Sequence, residues 1–360
     1  MLVGVNLQQL RGNMPQTQNR AVMIWLLIFA GLVAFMVVFG GFVRLTRSGL
    51  SIVEWHPIGG VIPPLTQADW GEAFAKYQQT PEYIQLNYWM TLEDYKYIFY
   101  IEWWHRLLAR LVGLVYAIPF FWFLWHKKIP GKEVGMYVAI GVLFLLQAFM
   151  GWYMVASGLV DRPAVSHYRL TMHLMLAIAL LGLSLWIAYG HRYGFPDRSR
   201  PTRWSFSSKM AAVALVILLI QIAYGGLVAG LKAGHVSNTW PLMLGQWIPG
   251  GIFGAQGFDL LNLVETPQTV AFIHRWFAFL GILVVPHLYW QARKRGYPVE
   301  IQRGLLGLLG LVVIQIVLGI HVVLLNVPIL LALLHQAGAI ALFWLSVFFL
   351  HRLRAIDQTA

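Results

Sequence analysis

Residues 22–43 read VMIWLLIFAGLVAFMVVFGGFV, an apolar run without a single charged side chain. A helix needs about 20 such residues to cross the hydrocarbon core of a bilayer, so this stretch predicts a membrane span. Seven further runs follow, at 99–125, 134–156, 168–190, 208–230, 271–291, 304–325 and 328–350. Lipid leaves the backbone no partner outside its own helix, so the reading is an all-α integral membrane fold of eight transmembrane helices. Only Asn326, Val327 and Pro328 separate the last two spans, which predicts a tight hairpin.

Composition agrees, with 59% hydrophobic and 11% charged residues and a mean hydropathy of +0.65. The net charge of +12 would suggest nucleic acid in a soluble chain, but here Lys and Arg lie in short segments between apolar runs, where they orient helices. No nucleic-acid partner is implied. With no cysteine, disulfides, thiolate ligands and iron–sulfur clusters are excluded. Any metal is left to His, Met or carboxylate.

The N-terminus, 126–133, 191–209, 292–303 and the C-terminus carry 16 of the 26 Lys and Arg. The positive-inside rule then places both termini in the cytoplasm and segments 44–98 and 231–270 outside. Residues 1–21 hold only Arg11 and Arg20, the first apolar run is too long for a signal-peptide core, and no transit-peptide pattern precedes it, which points to a bacterial inner membrane. The expected layout is a cytoplasmic N-terminus (1–21), a four-helix bundle (22–190), a linker (191–207), a second bundle (208–350) and a tail (351–360). Segment 44–98 contains Pro57, Pro63, Pro64, Trp70, Phe74, Tyr77, Tyr83 and Trp89, too apolar for a tether, and is expected to fold over the outer mouth.

The two bundles share a pattern. Gly40-Gly41-Phe42-Val43 with Arg47, Gly49 and Trp55 resembles Gly225-Gly226-Leu227-Val228 with Lys232, Gly234 and Trp240. His105-Arg106 and His274-Arg275 open the next helix of each unit, Gln147 with Gly151 and Gln315 with Gly319 mark the third, and His173 and His335 the fourth. An even number of spans per unit makes this a parallel repeat.

All four repeated histidines fall near the outer ends of their helices, at one level. An intramembrane ionisable group is a functional candidate, and two imidazoles at one depth on two helices suit a flat macrocycle between them. A lone histidine would read as a polar group satisfied by a neighbouring helix, and zinc would gather three or four ligands at one point. The two-plus-two pattern favours haem. His126, His191 and His351 read as snorkelling groups at cytoplasmic helix ends. His56, His167, His235, His287 and His321 are left unassigned.

The halves differ in polarity. Glu102, one turn before His105, corresponds to Ala271; Arg110 corresponds to Phe279, and Arg169 to Leu331. A carboxylate beside a porphyrin can move protons or stabilise developing charge, which puts chemistry in the first half and a fixed, electron-relaying haem in the second. The other reading of Glu102 is an i,i+4 ion pair with Arg106. Arg106 and Arg275, with Arg44, Arg47, Arg169 and Lys232, form a cationic rim suited to propionates or to interfacial snorkelling.

Residues 40–51 (GGFVRLTRSGLS), Glu102-Trp103-Trp104-His105-Arg106, Ala233-Gly234-His235 with Asn238-Thr239-Trp240-Pro241, and 334–339 (LHQAGA) together resemble the haem A synthase family, over about residues 20 to 350. The resemblance implies oxidation of the C8 methyl of haem O to a formyl group, giving haem A for terminal oxidases. It implies His105 and His173 as ligands of the substrate haem iron, Glu102 as the catalytic carboxylate, and His274 and His335 as axial ligands of a permanent haem b. Haem O synthase and oxidase assembly factors are the protein partners it suggests; a homo-oligomer stays open. The absence of cysteine matches the proteobacterial and mitochondrial branch. A di-haem b-type electron-transfer cytochrome is the rival reading, and a transporter the second rival.

Overall fold

The computed structural model describes residues 19–56, 59–195, 204–252 and 259–359. Pro57, almost all of the N-terminal segment and much of the 191–207 linker lie outside the described residues. Among those described there are eight helices long and apolar enough to cross a membrane: Arg20–Leu45, Leu92–Trp125, Gly131–Ala156, His167–Tyr193, Phe206–Gly230, Pro267–Lys294, Val299–Leu324 and Ile329–Ile356. The chain is a multi-pass membrane protein. Its large exposed side chains, Phe35, Ile118, Phe121, Leu145 and Leu283 among them, would be a liability in water and are at home against lipid tails.

Local chemistry sets the helix ends. Asn19 accepts from the amides of Ala21 (3.1 Å) and Val22 (3.3 Å), capping the first span. The second helix starts seven residues earlier than hydropathy predicts, because Thr91 and Asp94 form a capping box there. Tyr95 in its extra turns and Phe99 just after them pack against Tyr77 and Trp70 of the loop helix Gln67–Gln78 at centroid distances of 5.0 Å each. Segment 44–98 is thus a folded cover seated on the second helix. The 326–328 hairpin is as tight as expected, with Asn326 and Val327 both in the left-handed region (φ 58° and 62°).

Two prolines inside spans act differently. Pro119 cannot donate to the carbonyl of Val115; the indole of Trp25, on the first span, donates to it instead at 2.8 Å, and the second helix continues unbroken. The sixth span, expected at 271–291, is two helices, Pro267–Phe277 and Leu280–Lys294. Three i→i−3 bonds tighten residues 276–282, one turn before Pro286, whose ring excludes the carbonyl of Ile282.

The first span packs against the second, fourth and eighth; the fourth also meets the third, fifth and eighth, and the fifth meets the sixth and eighth. Spans one, four, five and eight therefore form the centre. Small residues allow the close approach: a Cβ on Gly226 would lie 3.3 Å from the Cα of Thr171, and one on Gly182 2.9 Å from the Phe343 ring.

Trp25→Phe would leave the Val115 carbonyl without a partner and is expected to cost about 1–3 kcal/mol. Combined with Pro119→Ala, which restores a backbone donor, it should cost less; thermal unfolding of the two singles and the double in detergent measures the coupling.

Candidate functional site

The helices that bear the repeated histidines are held apart. The second and fourth spans share almost no close backbone approach, nor do the sixth and eighth, although each packs on its other neighbours. Into each slot project two imidazoles, and every one of the four rests against a glycine of a third helix. A Cβ on Gly40 would lie 3.3 Å from His105, on Gly151 3.1 Å from His173, on Gly225 3.3 Å from His274, and on Gly319 2.9 Å from His335.

The rings of His274 and His335 face each other with centroids 6.3 Å apart at 81°. Two metal–imidazole bonds of about 2 Å each, with half a ring beyond each nitrogen, come to about 6 Å. That pair is spaced for one metal between two imidazoles. His105 and His173 are near enough to interact electrostatically, and His105 stacks on Phe39 at 5.9 Å.

Glutamines hold the histidine-bearing helices. Gln315 donates to the carbonyl of His335 at 2.7 Å and Gln221 to that of His274 at 2.9 Å, while the Gln147 amide lies 3.3 Å from His173 Nε2. The Oε1 atoms of all three, and Nδ1 of His173 and of His335, are buried without a partner. Buried polar atoms are normally satisfied, so orphans on the residues that line both slots fit a site that a ligand completes. The donor set, two imidazoles to each slot with apolar walls, fits a haem. Among the described residues no three His, Cys, Asp or Glu gather around one point.

Glu102 is buried, and its carboxylate accepts four hydrogen bonds. Oε1 takes Arg106 Nε (3.0 Å) and Nη2 (2.6 Å); Oε2 takes Ser51 Oγ (2.7 Å) and the Ile52 amide (2.9 Å). The ion pair with Arg106 therefore exists, within a clasp that also holds the cover to the second helix. Arg106 goes on to donate to the carbonyls of Ile52 (2.9 Å) and Glu54 (3.2 Å). Its counterpart Arg275 is buried and donates to Ser237 O (2.6 Å) and Thr239 O (3.1 Å). Both arginines brace loops beside their histidines. Arg44, Arg47 and Lys232 lie within electrostatic reach of one another, and burial with these neighbours pushes the Lys232 ammonium below its ordinary value.

A model of the cytochrome oxidase assembly protein family matches residues 23–347. The chain belongs to the cytochrome oxidase assembly protein family. Similar proteins named haem A synthase occur in Maricaulis maris (45% identical, over 91% of this chain and 94% of that protein), Sinorhizobium medicae (43%, over 92% and 89%) and Wolbachia pipientis (42%, over 94% of each). The span of this cytochrome oxidase assembly protein match takes in both slots and all four histidines.

The remaining histidines scatter. His56 pairs with Glu54 (3.1 Å), His235 meets Asn326 (2.9 Å), and the exposed His126 and His321 lie against carbonyls of their own helices. His191 and His351 are each only 2% exposed, which overturns the snorkelling expectation for them. His191 meets the Tyr137 hydroxyl at 2.5 Å, and His351 sits among Trp186, Tyr189 and Tyr193.

Two site residues escaped the sequence reading. Gln221 has no repeat partner, since the matching residue of the first span is Met36. Ser51 lies within the quoted motif, but its bond to Glu102 spans 51 residues.

Glu82, in the cover, is buried against Tyr77 and faces Glu102, Arg47 and Lys232. Burial, then repulsion from Glu102, pushes its carboxyl up to about 7 from 4.5, against the pull of Arg47 and Lys232. Between those values the folded chain keeps a proton that the unfolded chain has lost, so stability falls as pH rises through that window and is level above it. Glu82→Gln is expected to abolish this decline, read as the difference in thermal unfolding between about pH 5 and about pH 8.

Proposed function

We propose that this chain is a membrane oxidoreductase that converts haem O to haem A by oxidising a ring methyl to a formyl group. The observation that carries the reading is the His274–His335 pair, 6.3 Å apart, beside a second histidine slot of different polarity. The haem A synthase names of the relatives support it.

In this reading the two four-helix units, 22–190 and 208–350, form a parallel repeat. Supporting it, Gly40 and Gly225 take the same place against His105 and His274, and Gly151 and Gly319 the same place against His173 and His335. Arg47 and Lys232, at matching positions, share φ of 55°. Both termini are cytoplasmic and the slots lie near the periplasmic face of a bacterial inner membrane, as the distribution of Lys and Arg favours.

His274 and His335 hold a permanent haem b, which when bound supplies one-electron transfer. His105 and His173 hold the iron of the substrate haem. Glu102 is the carboxylate that serves the reaction there, held ready by Ser51, Ile52 and Arg106. Arg106 and Arg275, with Arg44, Arg47 and Lys232, draw the propionates toward the end of the bundle that carries the cover. A purely electron-carrying di-haem cytochrome would have no use for a buried carboxylate in one slot and Ala271 at the matching place in the other.

Glu102→Gln is expected to lower haem A formation in cells by about a hundredfold or more, the scale of a lost proton-transfer group, with the haem b spectrum intact. Retained haem A production would leave Glu102 only its clasp. His274→Ala and His335→Ala should each remove the permanent haem, seen as loss of the b-type reduced-minus-oxidised spectrum; an unchanged spectrum would reassign the pairs.

A further inference from the structure

The two slots are walled differently on one side. In the second half the inner helix of the sixth span, Leu280–Lys294, lies along the seventh, Val299–Leu324. Gly281 admits Val312 there, whose side chain would lie 3.3 Å from a Cβ, and Ile282 and Ile316 pack into the same apolar cluster as Val312. That seam is filled.

The corresponding seam, between the second and third spans, is not. The unbroken helix Leu92–Trp125 approaches Val134–Ala156 at few places. Phe144 covers Gly113, the Tyr116 ring reaches Gly141, and the Tyr116 hydroxyl donates to Tyr137 O at 2.5 Å. All of these lie on the side of His105 away from the cover. Between them and the histidine, Ala109 stands one turn from both His105 and Gly113 on the same helix face, opposite Ala148, one turn beyond Phe144. Ala148 is exposed, as are Leu145 and Phe149. Counting from Gln147 and Gln315, the place of Ala148 is taken in the second half by Ile316, while Gly113 under Phe144 and Gly281 under Val312 take the same place.

We propose that the seam between the second and third spans is the lateral opening of the first slot, and that it holds the isoprenoid tail of haem O. The proposal rests on the function proposed above and names where that substrate enters and lies. Haem O carries two propionates on one edge and its long apolar tail away from them. Cations at the cover end, Arg44, Arg47 and Arg106, draw the propionates there. The tail then runs the other way, past Ala109 and Ala148, into lipid with which it is fully compatible. A resident cofactor without a tail needs only the closed slot that Ile316 provides; a substrate that must enter and leave needs the open one.

The test is Ala148→Trp, purified in lipid nanodiscs with its permanent haem in place and titrated optically with haem O and, separately, with protohaem, which has no tail. Affinity for haem O is expected to fall about tenfold, the effect of excluding roughly two methylenes from a buried groove, while protohaem binds as in the unaltered chain. Val142→Trp, at an exposed lipid-facing position of the same helix, should leave both unchanged. Because the chain has no cysteine, Ala148→Cys labelled with a bulky maleimide after folding gives the same block without asking the variant to fold around it. Unchanged haem O affinity in both blocked forms, or equal loss of haem O and protohaem, overturns the tail groove and leaves the proposed function standing. If the unaltered chain takes no haem O into its first slot, the proposed function fails and the groove with it.

Discussion

A histidine ring can turn into the middle of a helix bundle only where the facing helix has no side chain in its way. Each of the four slot histidines meets that constraint with a glycine, at Gly40, Gly151, Gly225 and Gly319, where even a methyl group would press on the imidazole. Everything else about the sites follows from that close approach. The glycine-bearing spans can pack tightly on their histidine-bearing neighbours, while the two histidine helices of each half stay apart and leave a slot. Gln147 and Gln221 then reach the rings of His173 and His274 from the side, Gln315 holds the backbone of His335, and polar atoms of these same residues stay buried without a partner.

The halves share this geometry and part company in what surrounds it. Around His105 the second helix carries Glu102 and Arg106 in a network that reaches the cover through Ser51, Ile52 and Glu54. Around His274 the matching arginine braces Ser237 and Thr239 with no carboxylate beside it. A polar, loop-coupled slot with an open flank beside an apolar, sealed one is the arrangement expected when one macrocycle reacts and departs and the other stays.

Much of this was legible in the sequence because membranes simplify the code: an uncharged run of the right length is a span, and a histidine inside it is conspicuous. The pattern that the two halves of the sequence share suggests which histidines to pair. What escaped depended on contacts between residues far apart in the chain. Nothing local to Gln221 or to His351 announces its surroundings, and the burial of His191 comes from Tyr137 on another helix. The break at residues 278–279 was hidden because hydropathy is blind to hydrogen-bond register; the early start of the second helix was hidden because its first turns pack on the cover and not on lipid.

The central claim is that one slot holds a permanent haem and the other a substrate haem, and the most direct measurement is extraction and chromatography of the haems that co-purify with the protein from cells also making haem O. The account predicts haem B together with haem O, haem A or a hydroxylated intermediate. Haem B alone, in two equivalents per chain, would contradict it and make the protein an electron carrier.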